Sequence, residues 1–217
     1  MKVVVTGSTK GIGRAITEKF LKEGHEVIGI DILPSDLLSE HYTHILADVA
    51  DKTSLPDILD TEILINNAGI QTDDSLSIAV NLEGTIHCTE KYAFQDKIHS
   101  VVNIASASGH NGAEFPNYSA SKGGVIAYTK NVALRIAKYG ATCNSISPGG
   151  VTTDVNAHVM NDPTLWNEIM HETLIPKWAS AEEIAEWTYF IAVINRSMTA
   201  QDILIDNGEM AKANFVW

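Results

Sequence analysis

Short apolar runs alternate along the chain with longer stretches whose apolar residues recur at a helical period. Residues 2–6 are Val-rich without alternation, the pattern of a strand covered on both faces. Over 11–23, Ile12, Ala15, Ile16 and Phe20 fall near a 3.6-residue spacing, which predicts a helix laid on a sheet. Further strands are predicted at 26–30, 43–47, 62–66, 100–105, 141–147 and 202–205, with longer helices at about 75–95, 117–138 and 181–195. This order predicts a doubly wound α/β domain: a mostly parallel seven-stranded sheet with helices on both faces.

No Pro/Gly-rich linker divides the chain, so residues 1–217 read as one domain. Two connections are short. Residues 31–48 leave little room for a crossover helix, and 50–61 allow only a turn or two. The stretch from 149 to 177, punctuated by Pro163 and Pro176, is long and irregular. Ligands of such sheets bind beyond the carboxyl ends of the strands, so about 150–177 is read as a substrate lid.

Composition narrows the partners. With 45% hydrophobic and 19% charged residues the chain is a globular protein with a sizeable core. Fifteen Lys plus Arg against 27 Asp plus Glu give a net charge of −12, with no basic run longer than two. Neither nucleic acid nor an anionic membrane surface is a fitting partner. Cys88 and Cys143 are too few and too distant for a disulfide scaffold, and the eight histidines form no metal-spaced pair, so no metal is expected. Reduced thiols, and an apolar run at Val3 to Val5 too short for a signal peptide, predict a cytoplasmic location.

The first strand enters Thr6-Gly7-Ser8-Thr9-Lys10-Gly11-Ile12-Gly13 and then a helix. Glycines there permit a tight turn and close backbone approach, and the helix start offers N–H groups and a positive dipole to a pyrophosphate. Gly7 to Gly13 are therefore candidate dinucleotide-binding residues. Asp31 ends the second strand 18 residues after Gly13, where a carboxylate can accept bonds from ribose hydroxyls and repel an added phosphate. It favours NAD; Lys10, able to meet a 2′-phosphate, keeps NADP open. Asp48 and Val49 either border the adenine or lie at an ordinary strand end.

Six motifs then stand in order: Thr6-Gly7-x3-Gly11-x-Gly13, Asn66-Asn67-Ala68-Gly69, Asn81, Ser106, Tyr118-x3-Lys122, and Pro148-Gly149 followed by Val151 and Thr153. Together they resemble the short-chain dehydrogenase/reductases, in their compact single-domain branch. The resemblance implies a Rossmann fold, an NAD(P) cofactor, a small carbonyl or alcohol substrate, and a homodimer or homotetramer. It also implies cofactor contacts by Asn67, Ala68, Gly69, Pro148, Gly149, Val151 and Thr153, and a water held by Asn81 in a relay from the lysine.

The physics of the central pair stands apart from the resemblance. Tyr118 and Lys122, four apart, share a helical face. A nearby ammonium and a positive nicotinamide both favour the phenolate, bringing a phenol pKa of about 10 toward the working pH. Tyr118 can then exchange a proton with the substrate oxygen, and Lys122 can tune it while holding the nicotinamide ribose. Ser106, just past the fifth strand, can donate to the carbonyl oxygen, with Ser108 the competitor. A cofactor-binding regulatory protein without chemistry is the alternative, disfavoured by the intact set Asn81, Ser106, Tyr118 and Lys122. A nucleotide-sugar epimerase or dehydratase would need a larger C-terminal domain.

Weaker candidates remain. His110, Asn111 and Phe115 either line the substrate pocket or form a surface loop. Met160, Trp166, Met170 and Trp178 give the lid an apolar face, for a greasy substrate or for the domain's own core. The apolar tail Phe215 to Trp217 is expected to pack on a neighbouring subunit. Short connections on the adenine side predict sparse adenosine contacts.

Overall fold

The computed structural model describes residues 1–113 and 115–212. Strand β1 (Lys2–Thr6) leads through the glycine turn into helix α1 (Gly11–Lys22), followed by β2 (Glu26–Asp31), β3 (Tyr42–Leu46) and β4 (Ile63–Asn66). A 3-10 turn (Asp74–Leu76), a π-helical segment (Ile78–Glu83) and α2 (Gly84–Tyr92) precede β5 (Ser100–Ile104). Then come α3 (Ser108–Asn111), α4 (Pro116–Ile136), β6 (Thr142–Pro148), β7 (Val151–Thr152), α5 (Ala157–Met160) and α6 (Pro163–Met170). The chain continues with β8 (Ala179–Ser180), α7 (Ala181–Tyr189), a second π turn (Phe190–Ile194) and β9 (Asp202–Ile205).

Seven parallel strands form one sheet in the order β3-β2-β1-β4-β5-β6-β9. The central strands are buried on both faces, which explains their unbroken apolar runs. Val3, Val5, Ile65 and Val102 face α1 and α7 with Ile16, Phe20, Ile184 and Ile191; Val4, Leu64 and Val101 face α2 and α4 with Cys88, Tyr92, Val132 and Ile136. Each such apolar side chain contributes about 1.5–3 kcal/mol through burial. The order reverses between β1 and β4, so a crevice opens at their carboxyl ends.

Three expectations need correction, and a fourth falls outside the described residues. The long helix predicted over 75–95 is broken into a 3-10 turn, a π segment and α2. The break lies at Asn81, whose side chain bonds both backbone groups of Ile70 and so spends its amide off the helix. The helix predicted over 181–195 ends in a π turn from Phe190. The 150–177 stretch is not irregular, since it carries α5 and α6, the latter capped by Asp162. Finally, residues 215–217, the proposed subunit contact, lie outside the described residues. Among those described, no helix is long and apolar enough to cross a membrane.

Candidate active site

At the end of β1, Gly7 has φ +64°, a left-handed conformation that turns the chain into α1. Gly13 lies so close that an added Cβ would overlap the Gly7 carbonyl oxygen and the Asn67 amide. Asn67 fixes the turn by donating from Nδ2 to the Thr6 and Gly7 carbonyls, at 3.1 and 3.0 Å. The Thr6 hydroxyl oxygen accepts from the N–H groups of Asn67 and Ala68, which ties β1 to the end of β4. At the start of α1, Lys10 occupies the cap position without a side-chain cap bond, and the first turn contains no acid. That helix end therefore keeps its positive field unneutralised.

Asp31 Oδ2 accepts from the Thr9 N–H at 3.0 Å and from its hydroxyl at 2.7 Å, while Oδ1 accepts from the Leu33 N–H at 3.0 Å. One carboxylate thus holds the glycine turn and the chain leaving β2. A second link was not legible in the sequence. Ser8 Oγ lies 3.2 Å from the Tyr42 hydroxyl, which lies 3.0 Å from His44 Nδ1, and His44 Nε2 lies 2.9 Å from the Leu33 carbonyl oxygen. A carbonyl only accepts, so Nε2 carries the proton, Tyr42 donates to Nδ1, and Ser8 donates to Tyr42. Gly29 makes room: a Cβ there would overlap the Tyr42 hydroxyl and Ser8 Oγ.

At the other end stand Ser106, Tyr118 and Lys122. Lys122 is buried and donates from Nζ to the Ile104 carbonyl at 2.9 Å; burial pushes its pKa down to about 8. Its Nζ is 5.8 Å from the Tyr118 ring centre. Ser106 Oγ accepts from the Ser108 N–H at 3.2 Å and lies 3.3 Å from Ser108 Oγ, so Ser108 supports Ser106 from behind. Asn81 is buried, with Oδ1 on the Ile70 N–H at 2.7 Å and Nδ2 donating to the Ile70 carbonyl and to Ser121 Oγ.

One cleft of about 540 Å³ joins the two ends. Gly7, Thr9, Lys10, Gly11 and Ile12 form one wall, and Asp31, Asp48 and Val49 the next. Asn67, Ala68 and Gly69 lie along its middle, opposite Pro148, Gly149, Val151 and Thr153, and Ser106, Tyr118 and Lys122 close the far end. Ser8, Gly13 and Asn81 stand behind these walls: Ser8 under Tyr42, Gly13 against the turn, Asn81 on Ile70.

The peripheral candidates are placed elsewhere. His110 Nε2 lies 2.7 Å from Asp202 Oδ2, Asn111 Nδ2 is on the Met210 sulfur, and Phe115 is half exposed. Trp166 and Trp178 meet edge to face at 5.1 Å, and neither they nor Met160 and Met170 line the cleft. From the lid segment, Asp154, Val155 and Asn156 extend the cleft wall set by Val151 and Thr153. Ile32, Leu33, Ile70, Gln71, Leu76 and Val80 also line the cleft; they are of ordinary residue type, and only the fold brings them together.

The model of the short chain dehydrogenase family matches residues 1–164. The chain belongs to that family. It is accordingly an NAD(P)-dependent oxidoreductase by membership, with the Rossmann architecture described above. The 3-oxoacyl-acyl-carrier-protein reductase of Salmonella typhimurium is 28% identical over 95% of this chain and 96% of its own length. A mutant 4-hydroxyisoleucine dehydrogenase, solved with NADH and succinate, is 27% identical with TM-score 0.89, covering 99% of this family member and 100% of that chain. A proposed 2-deoxy-d-gluconate 3-dehydrogenase from Agrobacterium tumefaciens, solved with NADP, is 27% identical with TM-score 0.88 over 97% and 96%. The relatives thus span two cofactors and unlike substrates.

Proposed function

We propose that this chain interconverts a secondary alcohol and a ketone, with NAD preferred as the hydride carrier. One observation carries the reading: Ser106, Tyr118 and Lys122 close one end of a cleft whose other end is the glycine turn. The residues present fit a dinucleotide. The uncapped start of α1, with Lys10 beside it, suits the pyrophosphate, and Asp31 at the β2 end suits the ribose hydroxyls. When bound, the nicotinamide supplies or accepts the hydride.

The remaining chemistry belongs to this chain. Ser106 donates to the substrate oxygen and orients it, its own oxygen held by the Ser108 N–H. Tyr118 gives its phenolic proton to that oxygen in reduction and takes it back in oxidation. Lys122 stands behind the tyrosine, where its cation stabilises the phenolate, and Ile104 fixes its position. Asn81 pins the 70s loop to the helix bearing Ser121, one turn from Tyr118. Val151 and Thr153 hold the nicotinamide side, and the segment at about 150–177 covers the site.

The test is NADH oxidation by the purified protein against pooled ketones: 3-oxoacyl thioesters, ketosteroids, keto sugars and the small hydroxyketones that correspond to diols, each with Tyr118→Phe alongside. Turnover by wild type, lost in the variant while NADH binding persists, is the expected outcome. Near-wild-type turnover by Tyr118→Phe refutes the assignment of the acid/base. No turnover in any pool favours the cofactor-binding regulatory reading.

A further inference from the structure

Helix α4, which bears Tyr118 and Lys122, begins without a cap of its own. Its cap position is Phe115, which has no acceptor side chain, and Pro116 follows at the first helical position. The next two N–H groups, of Asn117 and Tyr118, are the ones a capping side chain normally satisfies. They are satisfied from another part of the chain. Asp74 Oδ1 accepts from the Tyr118 N–H at 2.8 Å, and Oδ2 accepts from the Asn117 N–H at 3.3 Å.

Asp74 opens the 3-10 turn Asp74–Leu76, and this turn is itself fastened by its neighbour. Asp73 Oδ1 accepts from the Ser75 N–H at 3.1 Å and from the Ser75 hydroxyl at 2.6 Å. Leu76 from this turn and Gln71 just before it line the cleft with Tyr118. The bond from Asp74 therefore joins two walls of the reacting end at the backbone of the tyrosine. A carboxylate at the start of a helix also gains from the helix field.

We propose that Asp74 is the positioning residue for Tyr118: a cap supplied across the cleft that sets where the phenol stands. The inference rests on the reading of Tyr118 as acid/base. If the bond to Asp74 fixes the tyrosine, its loss moves the phenol by a fraction of an ångström, and misplacement on that scale costs about tenfold or more in turnover. Cofactor affinity, carried mainly by the glycine turn and Asp31 at the other end of the cleft, stays near the wild-type value.

The experiment compares wild type, Asp74→Ala, Asp74→Asn, Tyr118→Phe and Ser180→Ala, using NADH and a ketone pool that the wild type reduces. Ser180 caps α7 with a full capping box, so Ser180→Ala removes a cap of the same kind away from the tyrosine. Asp74→Ala is expected to lower kcat about tenfold or more. Its dissociation constant for NADH, read by fluorescence at 20 °C, stays within twofold of wild type. Asp74→Asn keeps an oxygen acceptor and recovers most of the lost kcat. Ser180→Ala lowers the melting temperature but not kcat.

The proposal is overturned if Asp74→Ala keeps wild-type kcat, if its NADH affinity falls in step with kcat, or if Ser180→Ala loses kcat equally. It is also overturned if Asp74→Asn is as slow as Asp74→Ala. Activity retained by Tyr118→Phe, or a wild type that reduces no ketone, instead removes the reading of Tyr118 and the inference with it.

Discussion

Lys122 is expected to weaken the fold it serves. Its ammonium is buried, and its pKa of about 8 lies well below the usual lysine value of 10.5. The folded state thus disfavours the proton that the unfolded state keeps. The difference, two to three pKa units, is worth about 3 kcal/mol against folding at pH 7, where both states are protonated. The hydrogen bond to the Ile104 carbonyl returns about 1.5 kcal/mol.

Lys122→Met, similar in volume and without charge, should therefore raise the stability of the cofactor-free protein by about 1–2 kcal/mol at pH 7. As pH climbs from 8 toward 10.5 the unfolded lysine still binds a proton that the folded one has lost, so this lysine's contribution to wild-type stability rises with pH. By pH 9.5 the wild type should have gained about 2 kcal/mol on the variant, enough to close or slightly reverse the gap. Burial also raises the pKa values of Cys88, Cys143, Tyr92 and Tyr128. Those groups make both proteins less stable in alkali, and the comparison cancels them. Urea unfolding of both proteins at pH 7 and pH 9.5 measures the gap. A gap independent of pH, or a wild type that is the more stable at pH 7, would refute the reasoning.

Two further outcomes follow from the glycine turn. Asp31→Ala removes the acceptor of the Thr9 and Leu33 N–H groups and the charge that opposes a 2′-phosphate. The ratio of kcat/KM for NADPH to that for NADH should rise by tenfold or so, and an unchanged ratio would dismiss Asp31 from cofactor choice. Gly13→Ala drives a methyl into the Gly7 carbonyl and the Asn67 amide, both held by the turn. It should cost about 3 kcal/mol and lower the melting temperature by about 10 °C in calorimetry; a shift under two degrees counts against the close packing.

What could be seen in the sequence was local. The central strands stood out because a buried strand is an unbroken apolar run, as at Val3 to Val5, and the two connections too short for helices contain none. Tyr118 and Lys122 were legible as members of an ordered set of motifs, since their helical spacing alone is common, and Gly7 through the turn. Bonds between distant segments left no such trace. The two carbonyl and N–H bonds of Asn81 to Ile70 replaced part of a predicted helix with a π segment. Asp74 looked like one acid among many, and its bond to Tyr118 joins positions 44 apart in the chain. For His110 the sequence left a pocket wall and a surface loop open, and the structure pairs it with Asp202 from the last strand.

The link from Ser8 through Tyr42 to His44 has a consequence for descent. Strand β3 is the sheet's edge, with no helix in the connection before it or after it, and the phenol of Tyr42 reaches the glycine turn only through the space left by Gly29. Residues 8, 29 and 42 are thus one heritable unit, scattered over three segments. A side chain at residue 29 would push the phenol of Tyr42 off the glycine turn, and then Ser8 and His44 lose the partner they share. Along the branches leading to this chain's relatives, a change at 29 should therefore be accompanied by changes at 8, 42 or 44.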